Sequence, residues 1–88
     1  MNTKQRQALK AKAHKLKPIV TLGNKGFSEN VKNEINRGLH DHGLIKIKIS
    51  ESDREVRREL FHEICATVAA EGIQLIGNIG LLYKEKED

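Results

Sequence analysis

One stretch of the chain alternates strictly. Leu44-Ile45-Lys46-Ile47-Lys48-Ile49-Ser50 puts Ile45, Ile47 and Ile49 on one side and Lys46, Lys48 and Ser50 on the other, as in a strand with one covered face and one wet or basic face. Elsewhere the apolar positions follow helical spacing. Val31, Ile35, Leu39 and His42 share a face, with Ser28 as N-cap and Gly43 ending the helix after His42. Val56, Leu60, Ile64 and Val68, widened by Phe61, Cys65 and Ala69, predict the longest helix. A capping box of Ser52 and Glu55 opens it, and it runs to about Glu71, with Gly72 closing it.

The remaining segments are shorter. A first helix is expected from Thr3, as cap, to about Lys15, with Leu9, Ala13 and Leu16 as a thin apolar stripe. Pro18 then enters a strand in which Ile19, Val20 and Leu22 read as buried on both faces. Near the end, Ile73–Ile76 and Ile79–Tyr83 flank Gly77-Asn78, a two-residue hairpin signal, and Gly80 marks a bulge or a close approach. The last five residues, from Lys84 to Asp88, are expected to fray. The order is α-β-α-β-α-β-β, an α/β fold over residues 1–88 with a mixed four-stranded sheet: strand-helix-strand crossovers favour parallel pairing, and the hairpin is antiparallel.

Composition fits one modest aliphatic core, since 88 residues contain 38% apolar side chains and no Trp. No stretch approaches the roughly 18 apolar residues of a membrane span. The polar start, Met1 to Gln7, carries no secretory h-region, and a single Cys65 leaves no internal disulfide, so a cytoplasmic location is expected. Cys65 reads as a small buried hydrophobe.

Charge changes the picture more. Residues 1–28 hold Lys4, Arg6, Lys10, Lys12, Lys15, Lys17 and Lys25 and no acid, whereas the rest sets nine basic residues against twelve acidic ones. The partner is therefore expected to be anionic and to meet the N-terminal third. Gly23-Asn24-Lys25-Gly26 lies between the first strand and a helix start, where backbone without Cβ atoms, a lysine and free helix N–H groups together suit a phosphate. Lys46 and Lys48 either extend that surface or protect an edge strand. Asp53, Glu55, Glu59 and Glu63, interleaved with Arg54, Arg57 and Arg58, read as a solvated face with local ion pairs.

Enzyme chemistry finds little support. The glycine loop is neither Gly-x-x-x-x-Gly-Lys-Ser/Thr nor Gly-x-Gly-x-x-Gly, and no nucleophile–base set accompanies it. His40 and His42, two apart on a helix, point in different directions, so no metal or cofactor is expected. His14, beside Lys15, reads as a surface histidine.

Taken together, Ala8-Leu9-Lys10, the run from Ala13 through Leu16-Lys17-Pro18 to Gly26, Leu44 to Lys48, Leu75-Ile76-Gly77 and Leu82-Tyr83 resemble the CRM domain of chloroplast RNA splicing and ribosome maturation. The resemblance spans nearly the whole chain. It implies an RNA-binding domain similar in fold to the C-terminal domain of the third bacterial initiation factor, with the family's Gly-x-x-Gly loop at Gly23 to Gly26. Stand-alone bacterial members are linked to large-subunit ribosome assembly and plant relatives to group II intron splicing, which makes ribosomal RNA the expected partner. With only Phe27, Phe61 and Tyr83 as aromatics, a broad base-stacking platform is not expected, and recognition should rest on backbone shape and charge. The rival reading is a protein adaptor whose basic helix docks on an acidic partner.

Overall fold

The computed structural model describes residues 1–23 and 26–86. Three helices and four strands follow in the expected order: α1 (Thr3–Ala13), β1 (Pro18–Leu22), α2 (Glu29–His42), β2 (Leu44–Ile49), α3 (Arg54–Thr67), β3 (Glu71–Ile76) and β4 (Ile79–Tyr83). The strands lie in the order β1-β2-β4-β3. β1 runs parallel to β2, and β4 lies antiparallel to both β2 and β3. Hence β1, β2 and β3 all point the same way, and their carboxyl ends share one end of the sheet.

Both faces of the sheet are covered. On one, α2 and α3 close over Val20, Leu22, Ile45, Ile47, Ile49 and Leu82, with Ile35, Leu39, Phe61, Ile64 and Val68 from the helices. On the other, α1 sets Ala13, Leu9 and Leu16 against Leu44, Ile73, Leu81 and Tyr83. The wet face expected along β2 is thus partly roofed by α1. Lys46 is half-buried, and its Nζ donates to the Leu16 carbonyl at 3.1 Å, so its stem lies beneath the α1–β1 connection, while Lys48 and Ser50 are exposed.

The strand buried on both faces is β4, where Leu81 and Leu82 are both sequestered, and not β1. β1 is an edge strand on which Val20 and Leu22 are buried while Ile19 and Thr21 are exposed. α1 crosses β2 and β3 and leaves the Thr21 side of β1 uncovered, while Ile19, at the irregular register between Pro18 and Val20, turns to Gly38 of α2 at the open edge of the sheet.

Helix boundaries follow side-chain caps. In α1 the cap is Asn2, one residue earlier than expected: its Oδ1 accepts from the Gln5 N–H at 2.8 Å, and the Gln5 Oε1 accepts from the Asn2 N–H at 3.0 Å. Ser28 caps α2 as expected, accepting from the Val31 N–H at 3.3 Å, and Gly43 ends it at φ 76°. His42, however, is exposed and not part of the core face. In α3 the cap is Asp53 in place of Ser52: its Oδ1 accepts from both the Glu55 and Val56 N–H groups, at 2.9 and 3.2 Å.

The end of α3 also differs. The helix stops at Thr67, and Ala69, at φ 56°, takes the left-handed position that glycine usually fills. The Ala70 N–H donates to the Cys65 carbonyl at 2.9 Å and the Ala69 N–H to Ala66 at 3.3 Å, the paired bonds of a Schellman ending. Ala69 is therefore exposed, while Glu71 and Gly72 begin β3. Gly80 marks the close approach: a Cβ there would stand 2.6 Å from Phe61 Cε1, so the ring seats directly on the strand. Gly80 itself pairs regularly with Leu75; the irregular registers lie between Gly72 and Gln74 on β3 and between Pro18 and Val20 on β1. Lys84 is held and not frayed, its N–H donating to the Gly43 carbonyl at 2.8 Å and its Nζ to Val68 at 3.0 Å; Glu87 and Asp88 lie outside the described residues. No helix among the described residues is long and apolar enough to cross a membrane.

Candidate nucleic-acid interface

The carboxyl end of the sheet gathers the segments that could meet a phosphate chain. After Leu22, the Gly26 N–H donates to the Gly23 carbonyl at 3.0 Å and closes a four-residue turn, with Gly26 at φ 66°. That conformation favours glycine, and neither glycine has a heavy atom within 4 Å of where a Cβ would stand. A ligand backbone can therefore come close. Asn24 and Lys25 lie outside the described residues. The Ser50 N–H donates to the Leu22 carbonyl at 2.9 Å, and the Ile49 N–H to Asn78 at 2.7 Å, which draws the β2–α3 loop and the hairpin turn to the same end. Both α2 and α3 start here, so two helix N-termini add partial positive charge.

Beside the turn runs a groove of about 290 Å³ lined by Leu22, Gly23, Gly26, Ile49, Val56 and Leu60, with Ser50 and Glu51 at its polar side. Val56 was expected in the core and is instead 44% exposed on this groove. A row of residues four apart drifts by about 40° per step around a helix, so the row that buries Ile64 and Val68 has turned away from the sheet by Val56.

The opposite end carries the basic residues of α1 and of the α1–β1 connection, since the helix stops at Ala13, two residues short of the expected Lys15. Lys4, Lys12, Lys15 and Lys17 are exposed and Lys10 is half-buried. Lys12, Lys17 and Lys46 meet with His42 around a cleft of about 340 Å³ floored by Leu16, Ile19, Leu44 and Ile45. Arg6 serves the fold: its Nη1 donates to the Gly72 and Ile73 carbonyls at 3.4 and 3.2 Å, and its Nη2 lies 4.0 Å from Glu71. These partners are more than sixty residues away in sequence, which is why charge counting alone placed Arg6 with the binding lysines. The five residues of β1 separate the lysine cleft from the glycine turn, roughly 13 Å at the usual strand rise.

Cys65 lies on the covered face of α3 with its thiol pushed up to about 11, mainly by burial and then by the Glu71 charge. It is an inert core group. The ion pairs expected along α3 do not form: among the described residues the pairs within 4.0 Å are Arg6–Glu71 and Lys32–Glu29.

The sequence model of the CRS1 / YhbY (CRM) domain matches residues 1–84. The chain belongs to the CRM family. A CRM relative from Haemophilus influenzae, named an RNA-binding protein, is 41% identical over 88 residues, covering the whole chain and 89% of the relative. A protein of Bacillus subtilis named a probable RNA-binding protein is 31% identical over 85 residues, covering 97% of this chain and 88% of its own. The same CRM fold appears in the solution structure of a hypothetical protein from Staphylococcus aureus with a proposed RNA-binding role. Its TM-score is 0.85 at 27% identity, over 100% of this chain and 92% of that one.

Proposed function

We propose that the chain binds RNA by its sugar-phosphate backbone, through the Gly23–Gly26 turn and the lysines of α1, and that it acts in the cytoplasm in assembly of the large ribosomal subunit. The observation that carries the grip is the turn itself: the described residues leave open the space where a Cβ would stand at Gly23 and Gly26, at the carboxyl end of an edge strand and the end of the sheet where α2 and α3 both start. Backbone N–H groups and Lys25 hold the phosphates, and Lys12, Lys15 and Lys17 add attraction that does not depend on sequence. The names of the relatives and the CRM-domain match support RNA as the ligand. The chain has no catalytic role in this reading.

The test is fluorescence anisotropy with a structured ribosomal RNA fragment, comparing the wild type with an Asn24→Asp plus Lys25→Asp variant whose fold is checked by circular dichroism. Both glycines remain in that variant while two negative charges enter the grip, so affinity should fall by about 10-fold or more. With about three or four phosphates neutralised, the wild-type affinity should decline with salt at a log-log slope of about −2 to −3. Equal binding by both proteins would move the contact to α1 or to Lys48, and a slope near zero would refute backbone recognition.

A further inference from the structure

The arginines of α3 occupy positions that the helix elsewhere gives to its core. Counting back from Phe61, which is buried against Gly80, Arg58 and Arg57 stand three and four residues earlier and Arg54 seven, so all three continue the stripe that faces the sheet. Glu55, Glu59 and Glu63 fall on the adjoining sector, about 100° to 180° round from Arg54. Signs that alternate along the sequence are therefore sorted onto separate faces. Where an apolar residue would fill the space between α3 and β3, there is a hollow of about 450 Å³ lined by Arg54, Arg57, Arg58, His62, Gln74 and Gly77.

Two features show that the hollow lacks a counter-charge. Arg57 is half-buried and spends Nη1 on the Glu51 carbonyl at 2.6 Å, but its Nε is buried with no partner, the one such side-chain atom among the described residues. Among the described residues, none of the three arginines has a carboxylate within 4.0 Å. Cations in the first turns of a helix also oppose its dipole, and Arg54 and Arg58 repel one another at i, i+4, each effect costing a few tenths of a kcal/mol. A local conflict of this kind points to a bound anion.

The hollow opens at the same end of the sheet as the glycine turn, with the first turn of α3 between them: Val56 faces the groove beside the turn, and Arg54 faces the hollow. We propose that this hollow is a second phosphate-binding site, which holds the RNA backbone after it crosses the first turn of α3 from the glycine turn. The inference rests on the RNA-binding reading above. Guanidinium forks suit a phosphodiester, and Arg54 and Arg58, both exposed, reach it while Arg57 fixes the floor.

Two measurements test it together. The first titrates the wild type with inorganic pyrophosphate and follows backbone amide signals by NMR; those of Phe61, Gln74 and Gly77 should shift. The second compares RNA affinity of an Arg54→Gln plus Arg58→Gln variant with an Arg37→Gln plus Lys86→Gln control, which removes the same charge from exposed sites away from α3. The first variant should bind about 10-fold more weakly, with its salt slope shallower by about 1.5, and the control should change by less than about 2-fold. Equal affinities of variant and control would overturn the site whatever pyrophosphate does. A loss of affinity without pyrophosphate shifts would also overturn it, since the arginines would then act only as distant charge. If the wild type binds no RNA at all, the RNA-binding reading falls first and this assignment with it.

Discussion

The two ends of the sheet present positive charge in different ways. At the amino end, lysines stand on the outer surface of α1, on long flexible stems, and the helix beneath them is fastened by a thin apolar seam and by Arg6. At the carboxyl end more of the charge is fixed: it comes from backbone N–H groups at two helix starts, from a turn shaped by glycine, and from Arg57, held by the Glu51 carbonyl, with Arg54 and Arg58 exposed beside it. Lysines on a mobile surface attract any polyanion. Fixed donors at the ends of rigid elements select for the spacing and direction of phosphates, because less order is lost when each bond forms.

The largest change expected comes from disturbing the rigid end. Gly80→Ala drives a methyl group into Phe61, whose ring underlies the arginine hollow, and should lower stability by about 1–3 kcal/mol in urea unfolding. An unchanged midpoint would mean that the ring can move aside and that this end is softer than its packing implies. Next, replacing Lys12, Lys15 and Lys17 together by Gln strips the flexible end, and should weaken RNA binding by about 5- to 10-fold while flattening the salt slope. Discrimination between RNA fragments should survive that change if selection lies at the other end.

A smaller effect sharpens the contrast. Ala69 holds a left-handed conformation at the amino end, so Ala69→Gly should raise stability by about 0.5–1 kcal/mol and leave RNA affinity unchanged. Cys65, between the ends, matters least at neutral pH. Its pKa is raised from 9.0 to about 11 in the folded chain, so the folded protein keeps a proton that the unfolded one loses above pH 9. The stability it contributes is complete below about pH 9 and is lost as pH rises through about 11. Alkylation by iodoacetamide at pH 8 should be slow until denaturant is added.

Much of the fold could be read in the sequence where one local signal dominates. The alternation from Leu44 to Ser50, the Gly77-Asn78 turn and the Ser28 cap each encode their structure within a few residues. Errors arose where a partner lies far along the chain or where a helical row is followed too far. Nothing near Arg6 or Lys46 reveals that carbonyls of Gly72, Ile73 and Leu16 receive them. At Val56 and Ala69 the row of four-residue steps runs beyond the part of α3 that touches the sheet, so both are exposed although the pattern puts them in the core. For the site, the glycine turn was legible as a motif. The arginine hollow was not, because charges that alternate in sequence look paired until the helix sorts them by angle.

The slender attachment of α1 also has a kinetic side. Ala13 is its one buried residue, joined by half-buried Leu9 and Leu16, whereas β2 and β4 lie at the centre of the sheet. Amide protons of α1 should therefore exchange with solvent through brief detachments of that helix alone, while those of β2 and β4 wait for the whole chain to open. A ligand held by α1 suppresses such detachments, so bound RNA should be registered as slowed exchange in a helix that need not change shape at all.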